Sequence, residues 1–286
     1  GDQEVVVPLG GARVTGVLNA LLGGGPLSAI LVSPPTHGSL ILDPQGTFSY
    51  TVGPSFPGID RFTYKVTDGT LESNVATVTI VAQEYVVIRR LYNDLLGRGA
   101  TEGEIGFWFN VLRRTNRQTV INSFLNSTEY RSNQIHALYN QLLGRGADPL
   151  GLTFWLDRMA RGNTLEQITA DITASAEYFS RNGNTNDGFA RGLYRDLLGR
   201  QATQADVNFV VSQLNGGSTR QQVATQILFS NEYAGNLVRG LYLAYLRRDG
   251  EPSGIAFWQQ VYQSNRSRIP VQLGLLGSNE YWNRLS

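Results

Sequence analysis

Cysteine is absent from the 286 residues, so no disulfide framework, thiolate metal site or cysteine nucleophile can exist in this chain. Histidine occurs twice, His37 in a Pro-Pro-Thr-His-Gly turn and His136 in a helical stretch, which supports neither a histidine metal pair nor a Ser-His-Asp set. Lysine occurs once, at Lys65, and the other basic residues are arginines. Arginine keeps its charge and makes forked contacts to carboxylates, so this usage favours fixed ion pairs. No apolar run approaches the ~18 residues of a membrane-spanning helix, so no membrane insertion is expected. A phosphate-cradling Gly-Lys-Ser/Thr loop and a dinucleotide fingerprint are also missing; Gly23-Gly24-Gly25 has no suitable flanks. The chain opens on Gly1 rather than Met, which points to processing or an excised fragment.

What is present is repetition. Leu-Tyr-x-x-Leu-Leu-Gly-Arg occurs at 91–98, 138–145 and 193–200, with a worn copy, LYLAYLRR, at 241–248. Each copy ends in Ser-x-Glu-Tyr, at 127–130, 175–178, 230–233 and 278–281. The first and last tyrosines of a copy lie 38 residues apart in the first and 39 in the others. So tight a period means one supersecondary unit used four times, each too small to bury its apolar face alone.

Each unit reads as three helices. The first ends at Gly97, Gly144 or Gly199, with Arg247 in the fourth copy; the second starts at Thr101, Asp148, Thr203 or Glu251. The third precedes the Ser-x-Glu-Tyr box, whose serine caps the helix leading into the next copy. One long helix then belongs to two units. Between copies 2 and 3 the spacing grows by seven residues, in an Asn/Gly/Asp-rich loop at 181–188.

Residues 4–82 read as strands instead. The runs EVVVPL, SAILVS, GSLILD, GTFSYTV, DRFTYKVTD and NVATVTIVA are separated by Gly/Pro turns, as in a β-sandwich. At Ala82 the period changes with almost no linker, so the last strand is expected to run stiffly into the first helix. The expected division is a β-sandwich over 1–83, helical copies 1 and 2 over 84–180, an inserted loop at 181–188, and copies 3 and 4 over 189–286. Residues 1–84 carry three basic residues against seven acids, and the remainder 21 arginines against 16 acids, balances of −4 and +5.

The N-terminal part resembles bacterial cadherin-like or immunoglobulin-like modules, in the order Pro-x-His-Gly, Gly-x-Phe-x-Tyr and Asp-x-Phe-x-Tyr. That resemblance implies an acidic calcium-binding turn after Val-Leu. Here the turn reads Asn19-Ala20-Leu21-Leu22-Gly23-Gly24-Gly25, without a carboxylate, and Asp60 or Asp68 alone does not replace it. No cofactor is therefore expected, and calcium is disfavoured. Residues 86–286 resemble a bacterial domain-of-unknown-function repeat with the two signatures above, and are similar to the linker domains of phycobilisomes. The fold class expected is multidomain β plus α: an Ig-like or cadherin-like β-sandwich fused to an all-α region of four roughly three-helix units.

Repetition also weighs on function, because a catalytic site needs different residues converging on one place. The recurrent pairs Arg98 with Glu129, Arg145 with Glu177, Arg200 with Glu232 and Arg248 with Glu280 are expected to lock helix ends together within each copy. Trp108, Trp155 and Trp258, each after a phenylalanine, read as core, with sugar stacking as the alternative. Arginines interspersed with acids argue against nucleic acid. The expectation is no enzyme but a secreted or cell-surface structural protein whose partner is itself, forming a filament, sheath or surface layer, sandwich to helices. Val5, Val6 and Val7 would add a strand to a neighbour's sheet, and Asn182, Asn184, Asn186 and Asp187 are candidate contacts for assembly or glycans. The alternatives are a glycan-binding adhesin and a targeting module of a larger exported protein.

Overall fold

The computed structural model describes residues 1–8, 10–19 and 27–284. Strands come first and helices after, a multidomain β plus α chain. The strands are β1 (Gln3–Val7), β2 (Arg13–Val17), β3 (Ser28–Ser33), β4 (Gly38–Leu42), β5 (Thr47–Val52), β6 (Ile59–Thr67) and β7 (Ala76–Ala82). One sheet has the order β1-β7-β6-β3 and the other β2-β5-β4. All pairings are antiparallel except β1 with β7.

Period-two alternation along β5, β6 and β7 buries Phe48, Tyr50, Phe62, Tyr64, Val78 and Ile80, the core of the sandwich. β2 is the strand that alternation did not point to. Only Val14 of its two inward positions carries a side chain, because at Gly16 a Cβ would run into the Phe48 ring. The three sequence signatures of this part meet at Asp60, which is buried. Its carboxylate accepts from the backbone N–H of Thr36 (3.0 Å), His37 (2.8 Å) and Arg61 (2.9 Å), and from the Tyr50 hydroxyl (2.9 Å). Burial alone would raise the pKa of Asp60, but these donors outweigh it and hold the carboxyl below its usual range. Residues 20–25 of the turn weighed for calcium lie outside the described residues.

β7 passes into α1 (Gln83–Leu91) without an intervening turn; Ala82 is both its last residue and the helix N-cap. Copy 1 continues with a π-helical turn (Tyr92–Leu96), α2 (Glu102–Arg114) and α3 (Arg117–Leu125). Copy 2 holds α4 (Thr128–Leu143), α5 (Pro149–Ala160) and α6 (Leu165–Ala174). α7 (Ala176–Arg181) carries the box that ends copy 2, and copy 3 continues with α8 (Asn186–Leu198), α9 (Gln204–Asn215) and α10 (Arg220–Leu228). Copy 4 has α11 (Asn231–Leu241) with a π-helical turn (Tyr242–Leu246), α12 (Pro252–Asn265), α13 (Ile269–Gly277) and the closing α14 (Asn279–Asn283). Helices shared between copies are real: α4 runs from the box of copy 1 into the Leu-Tyr signature of copy 2, and α11 does the same for copies 3 and 4.

The helix ends follow from local chemistry. Ser127, Ser175, Ser230 and Ser278 each accept from the backbone N–H three residues on. Gly97, Gly144 and Gly199 stop the first helices in the left-handed region, at φ 69°, 67° and 69°. Arg247 takes the same conformation at φ 57°, so the fourth copy ends its helix as the others do despite losing the glycine.

The chain forms two compact units. The first comprises Gly1–Asn93, Gly97–Val120 and the chain end from Trp282; the second comprises Asp94–Leu96 and Ile121–Tyr281. The first unit thus runs past residue 83. Within it, Gly58 (φ 97°) lies against Tyr85 and Phe109, and Arg113 donates to the Phe56 carbonyl at 3.3 Å. Arg89 forks onto Glu4 at 2.8 and 3.1 Å, and Arg61 pairs with Glu102. Some of the opposite charge noted in the sequence is therefore used inside one molecule.

In the second unit, Tyr178 of copy 2 donates to Asp196 of copy 3 at 2.9 Å, and Tyr281 of copy 4 donates to Asp94 of copy 1 at 3.0 Å. Copy 4 returns to copy 1 through the pairing that joins copies 2 and 3.

Candidate functional site

Each signature builds one cluster. The arginine after the left-handed residue lies over the tyrosine of its own Leu-Tyr pair: Arg98 over Tyr92 at 4.9 Å, Arg145 over Tyr139 at 5.1 Å, Arg200 over Tyr194 at 4.8 Å and Arg248 over Tyr242 at 5.4 Å. In copies 2, 3 and 4 the guanidinium forks onto the box glutamate. Arg145 reaches Glu177 at 2.7 and 2.8 Å, Arg200 reaches Glu232 at 2.5 and 3.0 Å, and Arg248 reaches Glu280 at 2.5 and 2.7 Å. Arg98 forks onto Glu104 at 2.9 and 3.3 Å, while Glu129 sits in the first turn of α4, in the second compact unit. Asn133, Arg181 and Asn236, alike in position, donate to the helix-end carbonyls of Leu96, Leu143 and Leu198.

Electrostatically the cluster is saturated. The carboxylate hydrogen bonds raise Arg145, Arg200 and Arg248 above their usual range, and in return Glu177, Glu232 and Asp206 are lowered by the arginine they hold. Glu104 falls to about 2, through Arg98 first and then the Thr101 backbone. Burial pushes the Tyr194 and Tyr242 hydroxyls up. None of these groups is poised to exchange a proton near neutral pH. The arrangement locks helix ends.

The aromatic pairs separate into an inner and an outer ring. Trp155 is buried and Trp108 and Trp258 are half-buried, but their partners Phe107, Phe154 and Phe257 are 60%, 54% and 57% exposed. In copy 3 Phe209 is 44% exposed beside a buried Val210. The expected core position therefore holds for Trp155 and in part for Trp108 and Trp258, and not for the phenylalanines beside them. Among the described residues, an outward phenylalanine is the one large apolar side chain that all four copies expose at the same position.

A second constellation is not repeated. Arg268 donates to Glu166 at 2.7 Å, and Glu166 is 1% exposed. Arg268 also donates to the Tyr233 hydroxyl at 3.4 Å, and Gln272 to those of Tyr130 (2.8 Å) and Tyr245 (2.6 Å). Burial works against the Arg268 charge, but Glu166 outweighs it and the pKa is raised. A cleft of ≈ 180 Å³, lined by Asn126, Gln134, Thr164, Ser267 and Arg268 among others, adjoins the pair, and a smaller one of ≈ 110 Å³ shares Gln134, Leu165 and Arg268. Sequence reasoning missed this place. Its signal was Arg268 at the N-cap of α13, where the sister third helices have Asn116, Thr164 and Thr219, each of them accepting from a backbone N–H.

The remaining candidate contacts fare differently. Val5, Val6 and Val7 belong to β1, which pairs with β7 on one side and forms the edge of its own sheet. Asn182 is buried, donates to the Tyr178 carbonyl at 2.9 Å and accepts from Arg195 at 3.1 Å; it cannot serve as a surface contact. Asn184 is exposed at φ 53°, and Asn186 and Asp187 form the first turn of α8, with Asp187 paired to Arg191. Half of what the spacing suggested as an eight-residue loop is helix, and 182–185 links α7 to α8.

Among the described residues no group of three or more Asp, Glu or His side chains could hold a metal ion, and no helix is long and apolar enough to cross a membrane. Both oxygens of Asp60 already accept from N–H and O–H donors.

Comparison with protein families agrees with the two-part reading. Residues 2–81 match a bacterial Ig domain, and residues 131–182 and 169–237 match a domain of unknown function, DUF4214. No curated protein matches the chain.

Proposed function

We propose that this chain, a bacterial Ig domain followed by helical copies akin to a domain of unknown function, is a structural protein of the bacterial exterior that associates with itself. The observation that carries this reading is the outward phenylalanine of every copy: Phe107, Phe154, Phe209 and Phe257. Fully covering one such ring stabilises a contact by about 2 kcal/mol. The sandwich offers matching apolar side chains on the edge strands β3 and β4, where Leu31, Val32 and Ile41 are exposed. Sandwich-to-helix contacts between molecules are heterologous, and such contacts propagate into fibres or layers unless they close. Because copies 1 and 4 already meet, growth would proceed from these rings and not from stacking of repeat ends. Bacterial Ig domains fit surface or exported proteins, in keeping with that role.

Light scattering after size exclusion, with electron microscopy, tests this. The wild-type chain is expected to form ordered assemblies at micromolar concentration, and the Phe107→Ser, Phe154→Ser, Phe209→Ser, Phe257→Ser variant to remain monomeric with unchanged melting. A wild-type chain that is monomeric at every concentration sinks the proposal.

Glycan binding is the second reading, and the cleft beside Arg268, with Asn126, Gln134, Thr164 and Ser267 among its apolar walls, favours it. Ser267→Trp at its edge should then abolish binding on a glycan array while leaving assembly intact.

A further inference from the structure

Capping does not require the buried pair Glu166–Arg268. The other third helices start on Asn116, Thr164 or Thr219, whose uncharged side chains accept a backbone N–H, while α13 starts on Arg268 with no side-chain cap. A buried ion pair is often no more stabilising than apolar residues of the same volume, and a chain that breaks its own local rule tends to do so at a functional site. The pair also keeps unused valences. Arg268 donates through Nε to Glu166 Oε1 and through Nη2 to Tyr233, and its Nη1 meets no partner among the described residues. Glu166 Oε2 is buried and accepts no hydrogen bond, a state that calls for a reason. Both residues line the cleft of ≈ 180 Å³, and Arg268 also lines the one of ≈ 110 Å³. Thr164 and Ser267 beside them each accept a backbone N–H and keep a hydroxyl proton to donate. The Gln134 amide, common to both clefts, makes no hydrogen bond among the described residues, and Leu125, Met159 and Ile269 supply apolar wall. All of these residues belong to the second compact unit.

We propose that this cleft binds one neutral sugar ring, held through neighbouring hydroxyls by Glu166 and Arg268. The inference rests on the glycan reading above and narrows it. Charge selects neutrality: Arg268 Nε stands 2.7 Å from Glu166 Oε1, so an ionic group that meets one partner lies close to the other, which carries its own sign. The unused atoms select hydroxyls, because one O–H can donate to Oε2 and the next can accept from Nη1. The last torsion of a glutamate is soft, so Oε2 can turn to the cleft while Oε1 keeps Arg268. Volume selects a single ring, since ≈ 180 Å³ is well below the ~300 Å³ at which sites for drug-sized ligands begin. The apolar walls take the C–H face of that ring.

The test titrates the methyl pyranosides of glucose, galactose, mannose and N-acetylglucosamine into the isotope-labelled whole chain and follows amide shifts by NMR, with glucuronate and glucosamine as charged counterparts. At least one neutral ring should give saturable shifts at Gln134, Thr164 and Ser267, and the charged rings should bind at least about tenfold more weakly. Glu166→Leu with Arg268→Met, which keeps the space filled, should abolish saturable binding. Should that double variant fail to fold, Gln134→Ala removes a half-buried amide and should weaken binding about threefold. Full affinity in the variant that folds, or no saturable shift at the cleft from any neutral ring, overturns the proposal. A charged ring that binds as tightly as the neutral ones overturns it too and leaves the glycan reading standing, whereas a chain that binds no glycan in solution or on an array ends both.

Discussion

Arg247 Nη2 stands 2.8 Å from Asp94 Oδ1, across 153 positions of sequence. The aspartate belongs to copy 1 and its side chain is 4% exposed; the arginine belongs to copy 4 and holds a left-handed backbone that glycine holds in the other copies. A left-handed non-glycine residue costs about 1–2 kcal/mol. The fourth copy tolerates that cost because a glycine there would give closure no cation.

Arg247→Gly is accordingly expected to destabilise the helical region, although it relieves the backbone. Losing a charge-assisted bond to a buried carboxylate removes about 2–3 kcal/mol, against about 1 kcal/mol of relieved strain. Urea denaturation should show a net loss of about 1–2 kcal/mol. A gain in stability would mean that the ion pair contributes nothing to closure.

In the sandwich, Asp60→Asn should cost about 2–3 kcal/mol, because an amide cannot accept all four bonds and turns a donor toward other donors. Tyr50→Phe removes only one of those bonds and should cost about 1 kcal/mol. Equal losses in thermal denaturation would show that the carboxylate is not the hub.

The buried pair at the meeting of copies 2 and 4 answers to a different rule. Arg268→Met alone strands the Glu166 carboxylate in the interior and should cost about 3–5 kcal/mol. Adding Glu166→Leu should recover most of it, since an apolar pair fills the space without desolvating charge. Failure of the double variant to recover would assign the pair a net stabilising role.

Acid should unfold the chain in a defined window. Asp60, Glu104, Glu177, Asp206 and Glu232 all titrate lower in the folded state than they would unfolded. A depressed carboxyl contributes stability that is complete above its unfolded pKa and is lost as pH falls through the folded one. For Glu104 that interval runs from 4.5 down to about 2. Melting temperature should hold level from neutral pH to about 5 and drop steeply below 4. A decline beginning near pH 6 would point to groups other than these carboxylates.

Much of this molecule was legible as text. Capping serines, the left-handed glycines and the alternation of β5 to β7 act over a few residues, and the signatures repeat them. The outward turn of Phe154 beside the inward Trp155 was not legible, because both residues are apolar aromatics and only packing against Tyr139 and Arg158 chooses between them. Asn182 misled for a related reason: a loop-forming residue type at a break in the repeat proved to be a buried helix end. The Glu166–Arg268 pair spans 102 positions, and nothing local to either residue names the other.

The amino-acid sequence by itself determined most of the strand runs and the period of the helical copies, β2 and the 182–185 link apart, since caps, turns and periodicity are written within one or two turns of backbone. The tertiary structure alone decided that Tyr281 and Arg247 of copy 4 hold Asp94 of copy 1, and that one phenylalanine per copy faces outward. Those outcomes depend on which surfaces meet, and burial is a property of pairs of elements brought together in space, not of any segment read alone.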